Sequence, residues 1–145
     1  MRTATRAACL LLLLVGCAAR APRVTLAPLA GGLDAFLAVH PLADGQAIRI
    51  DEVGRTAGAS YHIVQVRRSE SPHRHVAHDL TVLVLRGSGT MTLAGRTTEL
   101  QAGDAAVVAR GEVHWFAPSG RAPAVSLVAF TPPLDAPDTV PVDLR

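Results

Sequence analysis

Residues 71–79, Ser-Pro-His-Arg-His-Val-Ala-His-Asp, hold His73, His75, His78 and Asp79 in one short stretch. Side chains two apart on an extended strand point to the same side. His73 and His75 would therefore converge on one point from a strand edge. An H-x-H pair alone fits a solvated loop as well as a metal site. It gains weight from His114, which closes the segment "GDAAVVARGEVH" (103–114): a turn at Gly103-Asp104, a strand, a turn at Arg110-Gly111, then the histidine. Neutral imidazoles suit zinc, copper, nickel and iron, and three of them leave positions open for water or substrate. Other chemistries find less support. No Ser/His/Asp set has positional backing, the acids scatter singly through turns, and Gly87-Ser88-Gly89 is a turn with no helix behind it to make a phosphate site.

The elements that must carry these residues read as β from Gly45 onward. "QAIRIDEV" (46–53) and "SYHIVQVR" (60–67) alternate, and His62, Val64 and Val66 share a face, so His62 reads as a core histidine. "LTVLVL" (80–85) is continuously apolar, as a strand covered on both faces should be. "GTMTL" (89–93) and "TTEL" (97–100) flank a hairpin turn at Ala94-Gly95-Arg96. "AAVVA" (105–109), "VHWFA" (113–117) and "AVSLVAF" (124–130) follow. Short strands at about ten-residue spacing predict an all-β sandwich or barrel. Only "LDAFLAVH" (33–40) offers a helix, with Asp34 as its cap. Phe116 falls on the same side as His114 and packs in or lines the barrel, while Trp115 points away. Arg67, Arg68 and Arg86 would suit a carboxylate at the mouth, yet arginine is the only basic residue besides histidine, so their presence says little.

The two histidine segments resemble the paired motifs of the cupin superfamily. The second family motif is G-x5-P-x-G-x2-H-x3-N. Here Gly103, Gly111 and His114 match it, with Ala109 in the Pro place and Pro118 in the Asn place. The first motif has H-x-H, a Glu a few residues on, and a Gly after six more. Counting back from Gly87 puts Leu80 in the Glu place, whereas counting forward from His75 gives Asp79. The backward count sets Leu80, Val82 and Val84 inward, with His78 on the same parity. His78 and Asp79 are thus the candidates for a fourth ligand beside His73, His75 and His114, and a three-His site is the alternative. The resemblance covers residues 45–131, and "FTPPLDAPD" (130–138) resembles the tail of small single-domain members. It implies a cupin jelly-roll β-barrel with the histidines pointing inward, Leu80, Val82 and Phe116 lining the pocket, and paired barrels as a homodimer. Without the carboxylate, the ligand set suits zinc, copper or iron better than manganese. One divalent transition metal is expected. The chemistry stays open between a metal-binding domain of unassigned activity, a three-His oxygenase- or isomerase-like enzyme, and a non-catalytic small-ligand module; no catalytic residue is assigned.

The N-terminus reads as a leader. Arg2 and Arg6 precede "CLLLLLVGC" (9–17), a basic start and an apolar run too short to span a bilayer. Leu14-Val15-Gly16-Cys17 resembles the lipobox of bacterial lipoproteins, which implies cleavage before Cys17 and acylation of its thiol and amino group. More than one acyl chain gives firm anchoring. The expected organisation is a signal peptide at 1–16, a tether at 17–32, and a cupin domain at 33–145 with its barrel at 45–131. Cys9 leaves with the leader and Cys17 carries lipid, so no disulfide or thiolate ligand remains. Loss of Arg2 and Arg6 brings the 14 basic residues level with the 12 acidic ones. A neutral chain without a basic patch is no nucleic-acid binder. Arg2 and Arg6 are not a twin-arginine pair, so export is expected unfolded, with the metal taken up in the periplasm or outside the cell.

Overall fold

The structure is a computed structural model that describes Thr25 and residues 31–144. The expected leader, Cys17 and nearly all of the tether lie outside the described residues. Among the described residues no helix is long and apolar enough to cross a membrane. Ten strands and one helix follow in order: α1 (Gly32–Val39), β1 (Ile48–Arg55), β2 (Ser60–Val66), β3 (His73–His75), β4 (Asp79–Arg86), β5 (Ser88–Leu93), β6 (Arg96–Gln101), β7 (Ala105–Val108), β8 (His114–Pro118), β9 (Ala124–Thr131) and β10 (Thr139–Pro141). They form two five-stranded antiparallel sheets, ordered β1-β2-β9-β4-β7 and β10-β3-β8-β5-β6. The all-β expectation holds.

The first sheet is covered twice, which accounts for its apolar strands. On its inner face Val64, Val66, Leu80, Val82, Val84, Val128 and Phe130 meet Met91, Leu100 and Phe116 of the second sheet. On its outer face Val53, Ile63, Leu85 and Val125 are packed by Leu33, Phe36 and Leu37 of α1. Alternate residues of β4 therefore bury in opposite directions, with Val84 fully buried on one side and Leu85 nearly so on the other. The continuous run "LTVLVL" is the signature of that double cover.

Two local readings need correction. Asp34 does not cap α1: the N-cap is Gly31, without a side-chain bond, and Asp34 pairs with Arg86 instead. The turn read at Gly87-Ser88-Gly89 contracts to Gly87 (φ 80°), because Ser88 and Gly89 already pair with Gln101 and Leu100. The hairpin read at Ala94-Gly95-Arg96 is present but its turn is Ala94-Gly95 alone, since Arg96 already pairs with Leu93; both turn residues have positive φ (48° and 78°), the twist a two-residue hairpin requires. The second sheet also reaches beyond residue 131. The tail is held by Leu134 N–H on Ser60 Oγ (2.9 Å) and by Arg55 on the Leu134 carbonyl (2.9 Å). It then returns as β10 to pair with β3, Thr139 opposite His75 and Pro141 opposite His73. Proline is tolerated there because β10 is an edge strand.

Gly89 sits where β5 passes Phe116, and a Cβ there would collide with the Phe116 ring and the Ala117 carbonyl oxygen. Gly89→Ala is expected to destabilise by about 1–3 kcal/mol, read from the urea midpoint, although glycine-to-alanine changes elsewhere in extended chain are often neutral or better.

Candidate metal centre

The pairing of β3 with β8 sets His73 opposite His114. The two-residue period brings His75 to the same side. One ring nitrogen from each of the three lies within 4.8 Å of the others, and the rings of His73 and His114 are 4.4 Å apart between centroids. His75 and His114 are buried, and His73 is half-buried.

The hydrogen bonds decide which nitrogens are open. His73 Nδ1–H donates to the Ser71 carbonyl (2.9 Å) and His114 Nδ1–H to the Glu112 carbonyl (3.0 Å). His75 Nδ1–H donates to Asp138 Oδ1 (2.7 Å). A carbonyl oxygen can only accept, so the proton of these rings sits on Nδ1 and the lone pair is left on Nε2. Burial pushes the His114 ring down to about 4, against the pull of the Glu112 carbonyl, and lowers His75 in the same way despite Asp138. Both rings are thus neutral at neutral pH, the form that ligates a cation.

Asp138 was not found by sequence reasoning, because only the return of β10 brings it here. Its Oδ1 takes His75, and its Oδ2 takes His78 Nδ1–H (2.6 Å) and the Ala77 amide (3.0 Å). Burial opposes its charge, but the bonds from His78, Ala77 and His75 prevail and hold its carboxyl down at about 2. The structure does not bring His78 or Asp79 to the three-histidine cluster. His78 has Nδ1 on Asp138 and Nε2 against the Pro133 carbonyl (3.3 Å), so neither nitrogen is free. Asp79 Oδ1 accepts the Arg110 amide (2.7 Å), and its side chain is half exposed. His62 is a buried core residue with Nε2 on Ser60 Oγ (2.9 Å), its ring meeting Phe130 edge-on.

A cavity of about 460 Å³ opens beside the three histidines, and Leu80, Val82 and Phe116 line it. So does Glu70, a second residue that sequence reasoning missed. Its backbone N–H donates to the Phe116 carbonyl (3.0 Å), and its carboxylate folds back so that Oε2 accepts the Phe116 amide (2.8 Å). Burial pushes the Glu70 carboxyl above its ordinary value, only partly offset by that amide. The irregular segment "RRSESP" carries no period that would have singled Glu70 out.

The chemistry of this donor set is that of a site for one divalent transition metal. Three imidazoles within 4.8 Å of one another, with no carboxylate among them, fit zinc, copper or iron(II).

Comparison with known proteins agrees with this architecture. Residues 60–130 match the family model described as "Cupin domain". A protein of Aquifex aeolicus described as uncharacterized is 36% identical over 97 residues, covering 67% of this chain and 79% of its own. Among solved structures, KdgF from Halomonas sp. is similar at 25% identity with a TM-score of 0.57, over 61% of this chain and 82% of that one. Pac13, a nucleoside dehydratase from Streptomyces, shares the fold at 20% identity and a TM-score of 0.55, over 66% of this chain and 78% of that one.

Two outcomes follow from the hydrogen bonds. Asp138→Asn cannot offer acceptors to both His75 and His78, so it should weaken zinc binding about 10- to 100-fold in a chelator-competition titration. The second concerns pH. Because the His114 ring is depressed from 6.5 to about 4, the unfolded chain takes up its proton first. Stability of the metal-free protein is then full above about pH 6.5 and falls as pH drops towards 4. A denaturation midpoint that stays flat from pH 7 to 4 would contradict this assignment.

Proposed function

The chain carries a domain of the cupin family, and from that premise we propose that it is a metal-binding protein whose His73, His75 and His114 hold one divalent transition metal through Nε2. The observation that carries this reading is the fixed Nδ1 hydrogen bonding of all three rings, which leaves three open lone pairs within 4.8 Å of one another. When bound, such a metal acts as a Lewis acid with coordination positions open to a small molecule. The chain's own residues orient the three rings, keep His75 and His114 neutral, and set the site against a largely apolar wall.

A second reading, a metal-dependent enzyme acting on a small molecule, is favoured by the cavity at the histidines and by the half-buried carboxyl of Glu70 that lines it. The non-catalytic ligand-binding alternative shares the same cavity. The lipobox-like residues support placing the domain outside the cytoplasm, tethered to a bacterial membrane through acylated Cys17. Metal would then be acquired where strongly binding zinc and copper compete well against iron.

Metal analysis of the purified protein tests the proposal. About one equivalent of zinc, copper or iron is expected in the wild type, falling well below stoichiometry in His73→Ala and His114→Ala while the folded β spectrum is kept. Wild-type protein that stays metal-free after exposure to all three ions would refute it.

A further inference from the structure

The cavity beside the histidines is apolar over most of its wall, formed by residues such as Val64, Val82, Val84, Met91, Phe116 and Phe130. Polar residues are the minority of its lining, and besides the histidines they are Arg68, Ser69, Glu70, Ser71, Ser126 and Thr139. Among the described residues lining it, Glu70 is the one carboxyl. Glu70 Oε2 is used by the Phe116 amide. Among the described residues Oε1 makes no hydrogen bond, and since no fully buried polar side-chain atom among them lacks a partner, it keeps some exposure where Glu70 lines the cavity. The site therefore offers a ligand the Glu70 carboxylate and three imidazole nitrogens that could hold a metal, with a few hydroxyls and the Arg68 guanidinium, in a wall that is otherwise mostly hydrocarbon.

We propose that this cavity binds a small molecule with an apolar body and a single polar head, the head ligating the metal through oxygen and donating a hydrogen bond to Glu70. The inference rests on the metal-binding reading and deepens it by naming the ligand class. A polyol such as a sugar is disfavoured, because its hydroxyls would face valine and phenylalanine side chains. Each hydroxyl left unpaired costs about ten-fold or more in affinity. An apolar body gains instead, by about three- to four-fold for each methylene moved out of water. Glu70 then selects the head, as an acceptor held in place by its own bond to the Phe116 amide.

Alkyl hydroxamates provide the probe, since their head ligates zinc through oxygen and carries a hydrogen for Glu70. Calorimetric titration of the full protein, with its zinc content measured in the same sample, compares acetohydroxamate with butano- and hexanohydroxamate. Affinity should rise with each added carbon, to about 100-fold over the whole series. Gluconohydroxamate, of similar length but hydroxylated, should bind no better than acetohydroxamate. In Glu70→Gln the affinity of every member should drop by about ten-fold while the gain per carbon stays the same, which shows the cavity intact. A flat chain-length series, or tighter binding of gluconohydroxamate than of hexanohydroxamate, overturns the ligand class. Unchanged head affinity in Glu70→Gln removes Glu70 from the site. Absence of bound zinc defeats the metal reading separately, because the gain per carbon depends on the walls and is measured on metal-free protein as well.

Discussion

A neutral imidazole carries one proton on two nitrogens, and in a buried ring that proton must find an acceptor or cost the fold the full desolvation of an N–H. In this domain the requirement is met on the Nδ1 side of each ring at the site, by the carbonyls of Ser71 and Glu112 and by the carboxylate of Asp138. The consequence falls on the opposite nitrogen. Each Nε2 is left with a lone pair on the side of the ring away from its Nδ1 partner, and the β3–β8 register brings the three rings together. The same bonds fix ring rotation, so the cluster is prepared by the fold before any cation arrives.

That preparation depends on both sheets. The first sheet supplies the hydrocarbon floor under the histidines: Phe130 of β9 lies edge-on to His62, His75 and His78. Its own position is secured because β4 and β2 are pinned from the outside by α1. The second sheet supplies the ligands, all from the neighbouring strands β3 and β8. Burial in this setting lowers the basicity of His75 and His114, so the hydrophobic floor keeps them from taking a second proton at neutral pH. Packing and electrostatics act here through the same contacts.

What could be read from the chain alone follows the range of the interactions involved. The inward direction of His73 and His75 is a two-residue property of a strand. The inward parity of Leu80, Val82 and Val84 is local in the same way and matches their burial. The continuous apolar run of β4 announced a doubly covered strand, but not that α1 would be the outer cover. Asp34 looked like a cap because local chemistry favours acids there, and Arg86 across the surface competes for it. Parity also put His78 inward, and it is buried. Parity could not say that the ring would be engaged by Asp138 and Pro133. Asp138 lies 63 residues from His75 in the chain, in a segment where prolines mask the strand pattern of β10. Glu70 is only three residues from His73, yet its placement depends on a carboxylate folding onto the amide of Phe116, which no periodicity encodes.

The tail therefore belongs to the site. Asp138 holds two histidines at once, and it is carried by a segment fastened through Ser60 and Arg55 on one side and by β10 on the other. If docking of that segment strengthens metal binding by orienting His75, thermodynamic reciprocity requires bound metal to favour the docked tail by the same factor. The cost of ordering the tail is then shared between its own backbone pairing and the ligand set it completes. Ser60 contributes from the opposite end: its hydroxyl accepts the Leu134 amide and shares a hydrogen bond with His62 Nε2. The chain thus uses histidine in two ways inside one barrel. His62 closes a structural latch through Nε2, whereas His73, His75 and His114 keep theirs open.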